Sequence, residues 1–330
     1  MDYLIDITLL GFLMSVAIAV ARTRDLFAAT MLTGIYSLLS AGFFVVMDAV
    51  DVAFTEAAVG AGISTLLMLT TLKLTGQYES SSRPLQRIAL VVISVTAGLL
   101  FYGFLDMPIF GDPAAPIHQH VAPRYIQHSA EEVGMPNIVT SVLASYRGYD
   151  TFGETVVIFT AGIGVLALLS YVRSREDVSQ AALAPMQPHI ILRIVSKILI
   201  PPILLFALYV QFHGDYGPGG GFQAGVIFAA AIILYAMIFG LDVTLKVVNP
   251  AVIQFLAALG VLIYASVGIV SLLSGHAFLD YSVLGHDAVH GQHWGILIVE
   301  LGVGITVASV MLVIFFNFSS RVDKNQDSHS

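Results

Sequence analysis

The stretch His213-Gly214-Asp215-Tyr216-Gly217-Pro218-Gly219-Gly220-Gly221-Phe222-Gln223-Ala224-Gly225 lies between two long apolar runs. Residues 217–221 hold four glycines and one proline. Glycine costs backbone entropy in a helix, and proline lacks the N–H that a helix needs. The segment is therefore a tight break at which one apolar helix stops and the next begins. His213, Pro218, Gly219, Gly220, Gly221, Phe222 and Gln223 make up its structural motif. The bland reading is a turn followed by a small-residue helix start that lets a neighbouring helix pack closely. A phosphate loop is the rival, but it needs Lys-Ser/Thr after the glycines, and Phe222-Gln223 stands there instead.

The rest of the chain is as apolar as these flanks. Of 330 residues, 57% are hydrophobic and 11% charged, with a mean hydropathy of +0.86. Soluble domains carry about 25% charged residues, so the composition specifies an all-α polytopic membrane protein. A spanning helix needs roughly 20 apolar residues. Nine such runs are expected, at 4–21, 26–47, 52–73, 88–105, 152–172, 192–211, 221–241, 252–273 and 294–318. Cysteine is absent, which excludes thiolate-ligated iron–sulfur clusters and disulfides within the chain. The sequence assigns neither a metal nor a cofactor. A formal net charge of −8 argues against a nucleic-acid partner. Asp2 and Asp6, not a basic n-region, precede the first apolar run, which reads as a retained helix.

The connecting segments set an expected orientation. With the N-terminus outside, the inner side holds Arg22, Arg24, Lys73, Arg83, Arg87, Arg173, Arg175, Arg193, Lys197, Lys246, Arg321 and Lys324, whereas the outer side holds only Arg124 and Arg147. The positive-inside rule favours that arrangement, which leaves the C-terminus inside. Eight histidines fall on the opposite, outer side: His118, His120, His128, His213, His276, His286, His290 and His293; His189 and His329 do not. His286, His290 and His293 have ligand-like spacing, but two glycines and a short loop make a hydrated interfacial cluster the default over a metal site. Segment 106–151 is long and proline-rich, with 129–144 expected as a short surface helix. The chain divides into a three-helix module at 1–80, a two-helix module with a long outer loop at 81–175, a linker at 176–190, a four-helix module at 191–320 and a polar tail at 321–330.

Carboxylates inside spans are costly and count as functional candidates. Glu56 lies about 6 Å from the start of the third span. Asp51 and Thr55 precede it, and Ala53, Glu56, Gly60 and Ser64 share one face of a regular helix. Snorkelling or attraction to the helix N-terminus explains Glu56 without any role in transport. Glu154 follows Thr151 by three residues, a capping-box spacing that explains it locally. Arg147 and Asp150 are expected to pair at the membrane edge. Glu300 lies about 9 Å into the ninth span. It lacks a local basic partner and is the acid least easily explained. Snorkelling explains Lys197, and Pro201-Pro202 should kink the sixth span near its middle.

The wording His-Gly-x-x-x-Pro-Gly-Gly-Gly-Phe-Gln-x-Gly over 213–225 resembles the B-type component (MrpB/MnhB) of the Mrp-type multisubunit monovalent cation/proton antiporters, with the likeness covering roughly 189–320. Asp51-Val-Ala-Phe-Thr-Glu56-Ala-Ala-Val-Gly60-Ala-Gly62 resembles the MbhD module of membrane-bound hydrogenases. Tyr146-Arg-Gly-Tyr-Asp-Thr-Phe-Gly-Glu154 resembles the MbhE module that follows it. In that family these front modules usually end the large A-type component, so their fusion to the B-type region implies a shorter A-type partner. The resemblance implies exchange of Na⁺ or another monovalent cation for H⁺ across the plasma membrane. It implies ion or proton transfer at Glu56 and Glu154, partners of the A, C, D, E, F and G types, contact with lipids, and no enzymatic activity. The same modules occur in membrane arms of hydrogenases and other redox complexes, which gives the alternative: ion handling coupled to electron transfer elsewhere.

Overall fold

The computed structural model describes residues 2–72, 75–80, 83–109, 111–170 and 190–319. Most of the linker at 176–190 and all of the tail at 321–330 lie outside them, as do Lys73, Arg173, Arg175, His189, Arg321, Lys324 and His329. Among the described residues, nine helices are long and apolar enough to cross a membrane. In chain order the helices are α1 (Asp2–Arg22), α2 (Leu26–Val46), α3 (Val50–Leu72), α4 (Arg83–Phe104), α5 (Ala122–Glu132), α6 (Gly148–Ser170), α7 (Ile190–His213), α8 (Gly221–Phe239), α9 (Leu241–Val247), α10 (Pro250–Leu273) and α11 (Ala288–Ser319). The spans are all of these except α5 and α9.

Helix α11 is the axis of the fold. Its 32 residues extend about 48 Å, more than the roughly 30 Å hydrocarbon core, and it packs against α10, α8 and α6. Hydrocarbon tails are as apolar as leucine, so helices associate in a membrane by close packing of small residues. Gly302 meets α10 at Gly260: a Cβ on Gly302 would fall 2.7 Å from the Gly260 carbonyl oxygen. Gly304 meets α8 at Gly225, where an added Cβ would stand 2.6 Å from the Gly304 carbonyl oxygen. Around these crossings Tyr264, Ile233, Ile296, Val307 and Phe315 are fully buried. At the front, α1 packs on α2 and α2 on α3, and α3 joins this layer to α8 and α11. Among the described residues, helix α4 makes no extended contact with any other element, and nearly all its side chains are exposed.

The alternation of helix direction gathers the loops at two ends. Asn137, Gly214, Gly217 and Gly219 meet Asp51 and Thr140 at one end, together with most of the histidines. At the other, Asp25 bridges Tyr78, and Arg193 and Lys197 both lie over the Phe239 ring, at 5.8 and 5.7 Å.

Several sequence expectations change in detail. The ninth span begins at Ala288, six residues before the expected 294, so His290 and His293 stand on a helix and not in a loop. The surface helix of the long loop runs over Ala122–Glu132 and not 129–144; Gly134, at φ 78, and Pro136 stop it. Pro201 and Pro202 do lie near the middle of the sixth span, inside one continuous helix α7. Within α3, residues Ala57–Ser64 form a π-helix, marked by donation from Thr65 Oγ1 to the Gly60 carbonyl five residues back. The wider turn begins directly after Glu56, yet Gly60 still faces the Glu56 carboxylate, which a Cβ there would meet at 2.6 Å.

Candidate functional site

A cavity of about 310 Å³ lies between α3, α6, α8 and α11, near the histidine-rich end. Asp51 and Thr55 come from α3, Glu154 and Thr155 from α6, Phe222 and Gln223 from α8, and Glu300 from α11. The backbone of Gly219, Gly220 and Gly221 forms one wall. Among the described residues no lysine or arginine lines this cavity, so its carboxylates have no fixed cationic partner there.

The glycine break is what lets Glu300 lie against backbone. The chain turns at the end of α7, where Tyr216 N–H and Gly217 N–H both donate to the His213 carbonyl. Gly220 N–H reaches back to the Val210 carbonyl, and Gly220 itself adopts φ 112, a conformation L side chains rarely adopt. A Cβ on Gly214 would lie 3.1 Å from Glu300 Oε2. One on Gly221 would collide with the Glu300 carbonyl oxygen. The motif is thus a close-approach surface moulded to α11.

Polar contacts tie the loop to the front modules. Gly219 N–H donates to Asp51 Oδ1 at 3.3 Å, and Gln223 Nε2 donates to Thr55 Oγ1 at 2.9 Å. Thr140 Oγ1 donates to the Gly214 carbonyl at 2.6 Å, and Asn137 Nδ2 to the carbonyls of Gly214 and Gly217. Two buried tyrosines complete the joint: Tyr264 O–H donates to the Gly148 carbonyl at 2.7 Å and Tyr281 O–H to the Ala144 carbonyl at 2.8 Å. Asn137, Thr140, Tyr264 and Tyr281 carry no local sequence signal of such contacts, because their partners lie 74–137 positions away.

The predicted residues separate into groups. Asp51, Thr55, Glu154, Glu300 and residues 219–223 share the cavity. Helix α11 starts earlier than expected, so Glu300 lies about 18 Å from its start, well inside the 32-residue helix. Glu154 does not cap a helix, since α6 begins at Gly148 and Thr151 Oγ1 donates to the Leu143 carbonyl. It stands in the second turn of α6 and lines the cavity. Glu56 is not among the cavity-lining residues; it faces α2, where a Cβ on Gly60 would meet both Glu56 Oε1 and Ser37 Oγ at 2.6 and 2.5 Å. Arg147 and Asp150 pair at 2.6 Å on the surface. Lys197, against Phe239, is about 24 Å along α8 from Gln223 and does not reach the cavity. His213 stacks on Tyr209 at 4.8 Å. Pro218 lies in the turn before Gly219 and is exposed.

Outside the spans, burial pushes the Asp215 carboxyl above its ordinary value, against the opposing pull of His293. Tyr146 is pushed up to about 12 by burial and by its bond to Glu132, and the same bond, with Arg124, lowers Glu132. His286 pairs with Asp287 and its ring lies 4.5 Å from that of His290, which accepts from Trp294 Nε1. No group of three or more metal-ligating side chains converges among the described residues.

Nine apolar spans among the described residues, four of them around a partly hydrophilic cavity, define a multi-pass membrane protein. Residues 191–313 match the family described as "Domain related to MnhB subunit of Na+/H+ antiporter". Residues 11–77 match MbhD, the D component of MBH, and residues 85–186 match MbhE, its E component. A Staphylococcus epidermidis chain bearing the name antiporter subunit mnhB2 is 33% identical over 137 residues, covering 39% of this chain and 94% of that one. A Rhizobium meliloti chain, named as the A/B component of a K(+)/H(+) antiporter, is 23% identical over 282 residues, covering 76% of this chain and 27% of that one. The fold is similar to a chain in the structure of the Mrp complex from Dietzia sp. DQ12-45-1b, with a TM-score of 0.75 at 24% identity, covering 97% of this chain and 35% of that chain. It also resembles a chain of the membrane-bound sulfane sulfur reductase, an archaeal respiratory membrane complex, with a TM-score of 0.56 at 30% identity, covering 71% and 98%. The chain belongs to the MnhB family of Mrp/Mnh antiporter subunits and carries MbhD and MbhE domains ahead of its MnhB region. That family consists of transporter subunits, not enzymes. The chain spans about a quarter of the Rhizobium relative and about a third of the Mrp-complex chain.

Proposed function

We propose that this chain is a membrane component of a multisubunit monovalent cation/proton antiporter in which the cavity between α3, α6, α8 and α11 handles the transported ion or proton. The observation that carries this reading is the convergence of Asp51, Glu154 and Glu300, from three separate stretches of chain, on one cavity without lysine or arginine among its described lining residues. A carboxylate in such a setting either takes a proton or holds a cation, and alternation between the two is the chemistry of exchange. Glu154 and Glu300 are the exchanging groups, and Asp51, Thr55 and Gln223 supply the polar wall. Glu56 acts beside them on the face turned to α2, where the π-helix and Ser37 give it a second polar niche. The N-terminus lies outside and the C-terminus inside, so the cavity is nearer the outer surface. Helix α4, which makes no extended contact within the described chain, faces lipid and neighbouring proteins of the A, C, D, E, F and G types.

The test is Na⁺-dependent collapse of a pH gradient in antiporter-deficient everted vesicles carrying the complete complex. Glu154→Gln and Glu300→Gln should each abolish the signal while native gels show normal assembly; full activity in both would overturn the assignment. The likeness to a chain of a respiratory sulfane sulfur reductase complex supports a second reading, ion translocation driven by electron transfer in partner proteins. Co-purification of proteins with redox centres, together with a wild-type complex silent to added cations, would select it.

A further inference from the structure

We propose that His293 and Asp215 form the proton port of this cavity, a two-residue relay between the histidine-rich end of the bundle and Glu300. The relay rests on the preceding reading in one respect, the role of Glu300 as a proton carrier. His293 precedes Glu300 by seven residues on α11, so both lie on one face about 10.5 Å apart along the axis. Its Nδ1 stands 3.4 Å from Asp215 Oδ2, and the His293 side chain is 41% exposed against 11% for Asp215. The pair therefore steps from the wet surface into the interior. Asp215 belongs to the loop whose Gly214 and Gly220 lie against the Glu300 carboxylate.

That loop is held firmly. Asn137 N–H donates to the Asp215 carbonyl at 3.1 Å, and Thr140 fixes Gly214. A structural pair alone would not need its acid so deeply buried beside two other acids. Asp215 and Asp51 both act electrostatically on Glu300, Glu154 lines the cavity together with Asp51 and Glu300, and His213 ends α7 two residues before Asp215. His290 and Asp287 share the open groove that His293 borders, with Gly134, Met135 and Val289. Among these groups His293 is the one in direct contact with Asp215.

The step balances without any external reagent. The imidazole takes a proton from water at its free nitrogen, and the Nδ1 proton passes to the Asp215 carboxylate, leaving the ring neutral in its other tautomer. Asp215 then passes the proton through water to the Glu300 carboxylate and returns to its anion. Release runs through the same groups in reverse. Burial, which raises Asp215 above its ordinary value, favours its acting as a transient proton holder.

The experiment measures initial rates of Na⁺-driven pH-gradient collapse in everted vesicles with the complete complex, across the luminal pH that the histidine-rich end faces, comparing Asp215→Asn, His293→Gln, His293→Ala and Glu300→Gln. The relay predicts a fall on the order of 10²-fold in His293→Gln and Asp215→Asn, the low end of what a positioned proton-transfer group contributes. It also predicts loss of the pH optimum and restoration of His293→Ala by added imidazole. A structural role would not give imidazole rescue. Wild-type exchange in Glu300→Gln would overturn the reading of the cavity itself. Loss in Glu300→Gln with wild-type rates and pH profiles in the His293 variants would overturn the relay alone. Should Asp215→Asn fail to assemble, the His293 variants still decide.

Discussion

Glu300 lies directly beneath the backbone of Gly220: a Cβ on that glycine would stand 3.1 Å from Oε1 of the carboxylate. The longest helix of the described chain thus presents its buried acid to the one segment that has no side chains to crowd it. Two features, a break in the helix and an absence of side chains, serve the same contact.

Gly220→Ala tests that contact. Gly220 has φ 112, where an L residue is strained by roughly 1–3 kcal/mol, and the new methyl group presses on Glu300. The variant should insert with nine spans, lose exchange in vesicles, and unfold at lower temperature in detergent. Gly98→Ala, on α4 with open space at its Cβ position, serves as the control and should behave as wild type.

The bond from Gln223 to Thr55 links the MnhB region to the front module. Gln223→Leu or Thr55→Val should each cost about 1 kcal/mol, since intramembrane hydrogen bonds contribute about 0.6 kcal/mol on average and reach about 1.7. The double variant should cost less than the sum, because the residues share one bond. Thermal unfolding of the purified complex measures both.

The tyrosine pair is more consequential for the joint with α6. Tyr264→Phe and Tyr281→Phe leave the Gly148 and Ala144 carbonyls without their donors, at about 1–3 kcal/mol each. The expected outcome is faster proteolysis in the 134–147 segment with the helices of the MnhB region still protected, read by mass mapping of the fragments.

Asp215 gives a pH-linked prediction. Its value in the folded protein is raised from 3.8 by burial, the larger influence, with His293 opposing. A raised acid contributes stability that is fully present below its unfolded value and lost as pH rises through its folded value. Above that folded value the ionised, buried carboxylate is therefore a burden. Asp215→Asn should gain in melting temperature over wild type as pH rises through the folded value of Asp215, and the difference should already be gone once pH lies below about 3.8, the unfolded value. Melting curves at both ends of that range check the sign.

The number of spans was legible in the sequence because lipid imposes a length and polarity on every crossing segment, whatever packs beside it. The break at 213–221 was equally legible, since glycine and proline act through their own backbone. Glu300 stood out for the same local reason, an acid without a nearby base. Local chemistry misled where a tertiary contact outweighed it. Thr151 and Glu154 have the spacing of a cap, yet the helix begins three residues earlier and Glu154 lines a cavity instead. Glu56 and Gly60 do share a face, but that face meets Ser37 of α2 and not the cavity, a choice of partner that no local pattern carries.

By itself, then, the sequence determined nine apolar spans, one glycine-rich reversal and a small set of acids too deep to ignore. Only the tertiary structure decided which acids meet. Asp51, Glu154 and Glu300 are separated by 103 and 146 positions, taken from their numbers, and no periodicity relates them. What brings them together is the packing of α3, α6 and α8 on α11, set by glycine contacts such as Gly225 with Gly304 and by hydrogen bonds from Asn137 and Thr140. Those contacts depend on shape and on partner atoms far away in the chain, and such information is not carried by any local pattern of residues.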